Sequence, residues 1–226
     1  MKIKFLGTGA ADWPKKRKEN MIEFRRLSSA LIDDILLIDP GPQVVDALAE
    51  YGIALSDVKY IINTHKHSDH YSAATLETLE DAGATFVEFC AGEEKAVGNY
   101  TVRAYAANHS TCKGTVHFII SDGERTLFYG LDGAWLFYDE FLAIKQFTPD
   151  LAVLDATIGE CDGDYRIFEH NNLNMIIEMK KTLAPYVKNF CISHIARTLH
   201  TDHKTLSEKM AKEKILTAYD GMEIEI

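Results

Sequence analysis

The stretch INTHKHSDHYS, residues 62–72, places three histidines and one aspartate within six positions. The apolar run YII just before these residues predicts a buried strand, so His65, His67, Asp69 and His70 lie on the loop at its carboxyl end. Sheets of α/β proteins bind ligands at this edge. Alternate residues of an extended segment project the same way, so we expect His65 and His67 to approach one cation. Asp69 and His70, where the chain turns into a helix, would face a second cation.

Three further side chains follow apolar runs in the same manner. His109 ends VRAYAANH, Asp132 follows TLFYGL, and His194 follows NFCIS. Taken singly, a histidine at a strand end is more often a satisfied polar residue than a ligand, and Asp-Gly is typical of a turn. Because all three repeat the position of the first motif, we predict that they join it as ligands. Imidazole and carboxylate suit zinc and manganese alike, so the predicted cofactors are two divalent ions, Zn²⁺ or Mn²⁺.

The composition predicts a globular α/β protein. The chain has 226 residues, 46% of them hydrophobic and 26% charged, with no repeat or linker, which favours one domain over residues 1–226. β-branched and aromatic runs predict strands over 2–6, 28–38 with a turn at 33–34, 59–64, 84–89, 100–107, 115–120, 126–131, 150–155 and 188–193. Helical spacing of apolar residues predicts helices over 42–51, 73–82, 137–146, 171–184 and 202–212. The basic segment 12–26 fits neither pattern, and we interpret it as a solvated loop.

Charge and cysteine usage exclude several classes of protein. The formal net charge of −10 argues against a general nucleic-acid binder, because such binding depends on cations facing phosphates. We find no signal-peptide pattern and no apolar run long enough for a membrane span, so we expect a cytoplasmic protein without a membrane partner. The four scattered cysteines form no C-x-x-C pair and are interpreted as reduced thiols.

These motifs, in this order, resemble the metallo-β-lactamase superfamily. The resemblance runs from FLGTGA and LLIDPGP, which contains Asp39, through THKHSDH to the three later ligand candidates. It implies an αββα four-layer sandwich with a two-metal site on one edge. It also implies a ligand set in which one ion is bound by His65, His67 and His109, the other by Asp69, His70 and His194, and both by a bridging Asp132. Asp39 would orient one of the ligating imidazoles.

Two cations held by nitrogen and oxygen ligands make hydroxide available near neutral pH, so we expect a hydrolase. The ligand set lacks cysteine and includes the bridging Asp132, which is more similar to the phosphodiesterase and ribonuclease branches than to the lactamases. The segments IFEHNNLNM, CISHIARTLH and AYDGMEIEI bear a closer resemblance to the cyclic phosphodiesterases that accompany carbon–phosphorus lyase. That resemblance places His170 beside the metals, where it helps the leaving group depart, and we predict His170 and Asp69 as catalytic residues.

From the residues alone, EHNNL is equally well explained as a loop histidine beside a helix cap formed by Asn171 or Asn172. The chain also departs from the phosphonate-pathway pattern. Residues 12–26 lack the cysteines and histidine of a structural zinc cluster, and Arg197 stands where a histidine is expected.

Arg197 and His200 are the predicted substrate-binding residues, because arginine offers a fork for phosphate and histidine a switchable donor. His203 is a further candidate. The segment ARTLHTDHKTL equally fits a solvated loop entering a helix capped by Thr201 or Asp202, the interpretation that we favour for His203. The expected partner is a small or cyclic phosphodiester, and dimers are common in the resembling family, so a homodimer is a further expectation. The alternatives are a metallo-nuclease of the ribonuclease Z type, a lactone or thioester hydrolase, and a metal-binding module without hydrolytic activity.

Overall fold

The computed structural model of the protein describes residues 1–226 and contains thirteen strands and five helices. The strands are β1 (Lys2–Gly7), β2 (Ser29–Ile32), β3 (Leu36–Ile38), β4 (Tyr60–Ile62), β5 (Thr85–Phe86), β6 (Glu94–Val97), β7 (Tyr100–Ala106), β8 (Val116–Ser121), β9 (Thr126–Gly130), β10 (Leu151–Asp155), β11 (Asn189–Ser193), β12 (Ile215–Thr217) and β13 (Glu223–Glu225). The helices are α1 (Val44–Glu50), α2 (Ala73–Asp81), α3 (Tyr138–Phe147), α4 (Leu173–Leu183) and α5 (His203–Lys212).

The strands form two sheets, with the orders β13-β1-β2-β3-β4-β5 and β12-β11-β10-β9-β8-β7-β6. Neighbours β3 and β4 are parallel in the first sheet, and β9, β10 and β11 are parallel in the second. Parallel neighbours end at the same edge of a sheet. The loops that leave these strands therefore gather along one edge, which is where the candidate ligands lie.

Three hydrophobic clusters separate the layers. The central cluster of 21 buried residues joins both sheets, with Phe5 and Ile38 from one sheet and Phe118 and Tyr129 from the other. A second cluster packs helices α3, α4 and α5 on the second sheet, and a third packs α1 and α2 on the first. Each buried aliphatic or aromatic side chain stabilises the fold by roughly 1.5–3 kcal/mol. The order helix, sheet, sheet, helix confirms the predicted αββα arrangement.

The parallel strands show why the apolar runs were informative. All five residues of β10 are buried, because a parallel strand is covered by packing on both faces. The predicted strand 28–38 is two strands, separated by a turn at Asp33 and Asp34 with φ of 48° and 61°. The short edge strands β6, β12 and β13 were not predicted, and segment 12–26 contains neither helix nor strand, as expected. None of the five helices combines the length and the apolar character needed to cross a bilayer.

Candidate metal centre

One oxygen of Asp132 faces a group of three histidines. Asp132 Oδ2 lies 3.2 Å from His65 Nε2 and 3.8 Å from His109 Nε2. His67 completes the group, with its Nδ1 3.1 Å from His109 Nε2. The candidate ligand atoms of these four residues all lie within 4.8 Å of one another, close enough to share one ion.

The other oxygen of Asp132 faces a second group. Asp132 Oδ1 lies 2.9 Å from His194 Nε2 and 3.4 Å from His70 Nε2, and Asp69 Oδ2 is 3.5 Å from each of these nitrogens. These four residues also place their ligand atoms within 4.8 Å. The structure thus brings together all seven candidate ligands, divided as the resemblance implied, with one Asp132 oxygen toward each group.

Several atoms of these groups are buried without a hydrogen-bond partner, namely His65 Nε2, His70 Nε2 and Asp132 Oδ1. An unsatisfied buried polar atom costs about 1–3 kcal/mol, so its presence in a folded protein calls for an explanation. Imidazole nitrogens and carboxylate oxygens converging on one point are the ligands of divalent transition metals. The residues present therefore fit divalent metal ions.

The remaining ring nitrogens hold the imidazoles in place. His70 Nδ1 lies 2.8 Å from Asp39 Oδ2, and Asp39 Oδ1 accepts the Thr64 N–H at 2.7 Å. The other Nδ1 contacts are His65 with Thr64 Oγ1 at 3.0 Å, His194 with Thr157 Oγ1 at 2.6 Å, and His109 with the Glu169 carbonyl at 3.2 Å. An oxygen on Nδ1 fixes the ring and leaves Nε2 for the metal, which is the usual arrangement around a ligating histidine.

Three residues of the site have a left-handed backbone. Asp39, Asp132 and His194 have φ of 63°, 59° and 59°, and each follows the end of a strand. A non-glycine residue in this region costs on the order of 1 kcal/mol or more, and such strain persists where the surroundings hold it. Two of these residues, Asp132 and His194, are candidate ligands, and the third, Asp39, contacts the candidate ligand His70, so the left-handed positions coincide with the site.

Charge in the site is set by its carboxylates. Burial alone would lower the pKa of His194, but the adjacent Asp132 outweighs it and raises that pKa to about 10. Burial also opposes a positive charge on His70, yet Asp132, Asp69 and Asp39 together raise its pKa well above the ordinary value. His109 is dominated by burial, which lowers its pKa to about 4. The carboxylates therefore favour positive charge at the second ligand group, which contains His70 and His194.

His170 lies beside both ligand groups and shares the Thr157 hydroxyl with His194. Its Nδ1 lies 2.7 Å from Asp155 Oδ2 and 3.1 Å from Thr157 Oγ1, and its ring stacks on that of His194 at 5.5 Å between centroids. Burial lowers the pKa of His170, but Asp155 reverses the shift and raises it. Asp155 is itself fully buried and ends strand β10.

The two asparagines after His170 have different tasks. Asn172 caps α4, accepting the Met175 N–H at 2.9 Å. Asn171 accepts the Trp135 N–H at 2.9 Å and donates to the Gly133 carbonyl at 2.8 Å. The segment that carries His170 is therefore fastened to the loop that carries Asp132.

The site opens into a cavity of about 240 Å³. Its lining includes His67, Asp69, His109, Asp132, His170 and His194 together with Asp12, Thr111, Thr157 and Arg166. Sequence reasoning missed Asp155, Thr157 and Arg166. Asp155 could have been found, since it ends the apolar run LAVLD in the same way that Asp132 follows TLFYGL.

Arg197 and His200 line a neighbouring cavity of about 380 Å³, with Trp13 and Arg25, rather than the cavity of the ligands. Arg197 is held by Asp12. The Asp12 carboxylate accepts the Arg197 backbone N–H at 2.7 Å, and the Asp12 backbone carbonyl accepts the Arg197 Nε–H at 3.2 Å. His200 Nε2 lies 2.6 Å from the Ala156 carbonyl.

His203 is the first residue of α5, which Asp202 caps by accepting the Thr205 N–H at 3.0 Å. Its Nδ1 lies 2.9 Å from Arg25 Nη2. The structure does not place this histidine in the cavity of the ligands.

Two comparisons by sequence match part of the chain. Residues 1–80 match the family model described as Anti-Pycsar protein Apyc1. A UPF0173 protein of Pyrococcus abyssi is 32% identical over 112 residues, a match that covers 42% of this chain and half of the relative's length.

Solved structures match over the whole chain. The metallo-β-lactamase fold protein YhfI of Bacillus subtilis is 18% identical with a TM-score of 0.75, covering 100% of this chain and 99% of its own. A diphosphatase of the PhnP family is 16% identical with a TM-score of 0.73, covering 100% of this chain and 97% of its own. This protein therefore has the metallo-β-lactamase fold, with its histidine and aspartate groups at the edge where the two sheets present their strand ends.

Proposed function

We propose that this protein is a hydrolase that uses two divalent metal ions, Zn²⁺ or Mn²⁺, to cleave a small or cyclic phosphodiester. One observation carries the proposal. The two ligand groups share Asp132, and the same cavity contains His170, which is held by Asp155 and belongs to neither predicted ligand set.

His65, His67 and His109 would hold one ion, Asp69, His70 and His194 the other, with Asp132 between them. When bound, such ions lower the pKa of water and neutralise charge that develops on the attacked phosphorus group. Asp39 and Thr157 fix ligand imidazoles through Nδ1, so the ligand positions are set before substrate arrives. Asp69, which lines the cavity, would both bind metal and orient the attacking group.

His170 is suited to donate a proton to the departing oxygen. An alkoxide of high pKa leaves slowly unless it is protonated, and the ligand histidines are committed to metal. Asp155 holds Nδ1 of His170, so the Nε2 edge is the one available to a substrate in the cavity. The buried Asp155 also stabilises the protonated ring.

Two observations favour a small phosphorus substrate. The cavity of about 240 Å³ is of a size for a small molecule or one nucleotide-sized group, and the net charge of −10 disfavours a long polyanion. The diphosphatase with the same fold is a precedent for phosphate chemistry on this scaffold. The segments around His170 and His194 remain the basis for favouring a cyclic phosphodiester.

The test is a substrate panel applied to purified protein of known metal content. We expect turnover of bis(4-nitrophenyl) phosphate and of cyclic sugar phosphates, abolished by chelation and restored by Zn²⁺ or Mn²⁺. A matched panel of RNA, a lactone and a thioester tests the alternatives under the same conditions. Cleavage of RNA at physiological salt with no activity on small diesters would establish a nuclease. Activity confined to the lactone or thioester would overturn the phosphodiesterase proposal.

A further inference from the structure

Arg166 is the one arginine or lysine among the residues that line the cavity of the candidate metal centre. The remaining charged or titratable lining groups are three aspartates and four histidines. Arginine keeps its charge at all physiological pH values and offers planar N–H donors that match phosphate oxygens. Arg166 is thus a single permanent cation among aspartates and histidines. Metal binding does not require such a cation.

The guanidinium of Arg166 is held in a fixed orientation. Asp164 accepts the Arg166 Nε–H at 2.8 Å and the Nη2–H at 2.6 Å, so one edge of the fork is fully engaged. The Asp164 carboxylate also accepts the Arg166 backbone N–H at 2.9 Å and caps the short 3₁₀ turn Tyr165–Phe168. Nη1 has no hydrogen-bond partner within the protein, which leaves its two N–H groups for a ligand.

The same turn is joined to the catalytic candidate. The Arg166 carbonyl accepts the backbone N–H of Glu169 at 2.8 Å and of His170 at 2.7 Å. The Glu169 carboxylate in turn accepts the Ser110 and Thr111 hydroxyls at 2.7 Å and 2.8 Å, next to His109. Arg166 is therefore positioned by the segment that positions His170, and its side chain, part of a residue that lines the cavity, is 37% exposed.

We infer that Arg166 is a substrate-positioning residue that binds a non-bridging oxygen of an anionic phosphodiester and selects it over neutral esters. This inference rests on the proposed phosphodiesterase function. Asp164 supplies the orientation, and Nη1 supplies the donors. Because the side chain is partly exposed, water screens the interaction and the expected effect is moderate.

The test compares Arg166→Met and Arg166→Lys with Arg125→Met. Arg125 is a matched control, since it also pairs with an aspartate, Asp150, at 3.5 Å but precedes β9, at the end of the strand away from Asp132. Steady-state kinetics use bis(4-nitrophenyl) phosphate and 4-nitrophenyl acetate, which share a leaving group and differ in charge. Binding of inorganic phosphate to the metal-loaded protein is measured by calorimetry.

We expect Arg166→Met to raise the KM for the diester and the Kd for phosphate about tenfold, with kcat within about twofold. Hydrolysis of the neutral acetate and metal content should not change. Arg166→Lys should recover part of the loss, because it keeps the charge without the fork. Should Arg166→Met fold poorly, Asp164→Asn provides a second measurement, since it keeps the cation and releases its orientation.

Wild-type KM and phosphate affinity in a folded Arg166→Met protein would overturn the inference while leaving the phosphodiesterase function intact. Equal losses on the diester and on the neutral acetate would also overturn it. If the wild-type protein cleaves no diester, the proposed function fails, and the phosphate titration alone decides the role of Arg166.

Discussion

His70 and His117 are both buried and both paired with a carboxylate, but they face different surroundings. His70 Nδ1 lies 2.8 Å from Asp39 Oδ2, and His117 Nδ1 lies 2.5 Å from Glu140 Oε1. In both rings Nε2 has no hydrogen-bond partner. The Nε2 of His70 has carboxylate oxygens of Asp132 and Asp69 within 3.5 Å. The Nε2 of His117 instead lies against Gly133. The two are so close that a Cβ built on this glycine would be only 2.8 Å from Nε2.

A buried histidine–carboxylate pair therefore does not by itself mark a candidate metal ligand. His70 is a candidate because the side chains of Asp69, Asp132 and His194 converge near its Nε2. Glu140 also accepts the Phe137 N–H at 2.7 Å, so the His117 pair joins β8 to the start of α3. His117 also lies against Gly133, the residue after Asp132, and we interpret the pair as structural.

His170 and Asp155 form a third pair, at 2.7 Å, with a third outcome. The His170 side chain is 15% exposed and lines the cavity, whereas those of His70 and His117 are at most 1% exposed. The same two side-chain types thus occur in three surroundings, which differ in what lies beyond Nε2. For His70 it is a group of candidate ligands, for His117 it is Gly133, and for His170 it is the cavity.

The largest effect is expected from removing Asp132, the carboxylate that distinguishes the surroundings of His70 from those of His117. Asp132→Ala should reduce the metal content from two ions per chain to at most one. Turnover should fall on the order of 10³-fold, because both ions lose their shared ligand and several kcal/mol of charge stabilisation. Elemental analysis and kinetics on the diester measure this, with Asp122→Ala at the far end of the sheet as control. Full metal content in Asp132→Ala would contradict the shared-ligand assignment.

The His170 pair is tested by the leaving group. His170→Ala should lower kcat for an alkyl phosphodiester on the order of 10²-fold, since its leaving oxygen needs a proton. A nitrophenyl diester, whose leaving group departs without one, should lose much less. Metal content should be unchanged. Equal losses on the two substrates would assign His170 to structure or binding, and loss of metal would make it a ligand.

Asp39→Asn tests the pair of His70 and Asp39 directly. Asparagine keeps the shape of the side chain but weakens the hold on His70 Nδ1, so metal affinity should fall about 10- to 100-fold. At saturating metal, kcat should recover most of its wild-type value. Titration with Zn²⁺ or Mn²⁺ in a competing chelator gives the affinity. An unchanged metal affinity would show that Asp39 serves only the backbone turn at Thr64.

Glu140→Gln makes the corresponding change at the structural pair and should have the smallest effect on activity. Metal content should be retained, while the free energy of unfolding falls by about 1–3 kcal/mol. Burial would lower the pKa of His117, but Glu140 outweighs it and raises that pKa above the ordinary histidine value. A raised pKa stabilises the folded state below the unfolded value of about 6.5, and this contribution disappears as pH rises through the folded value.

The difference in unfolding free energy between wild type and Glu140→Gln should therefore be largest below about pH 6.5 and shrink as the pH rises above that value. Urea unfolding of both proteins across this range measures it, and taking the difference cancels protonation of the metal ligands. A difference that grows with pH, or loss of metal from Glu140→Gln, would contradict the structural role.

Much of the fold was predictable because its strands are short apolar runs bounded by turns. The parallel strands β9, β10 and β11 are buried on both faces, so hydrophobicity marked them clearly. The edge strands β6 and β13 were missed because they are short and carry exposed, charged residues instead of an apolar run. They become strands by pairing with the neighbouring strand. Likewise, nothing local distinguishes Arg166 from Arg197, although only Arg166 lines the cavity of the ligands.

The sequence by itself indicated the candidate ligands and their places at strand ends, because the spacing of His65, His67, Asp69 and His70 and the apolar runs before Asp132 and His194 are local properties. Tertiary structure alone decided what surrounds each histidine. His70, His117 and His170 each have a carboxylate partner distant in the chain, by 31, 23 and 15 residues respectively. What lies beyond each Nε2 depends on how two sheets pack, and packing brings together residues that no local pattern relates.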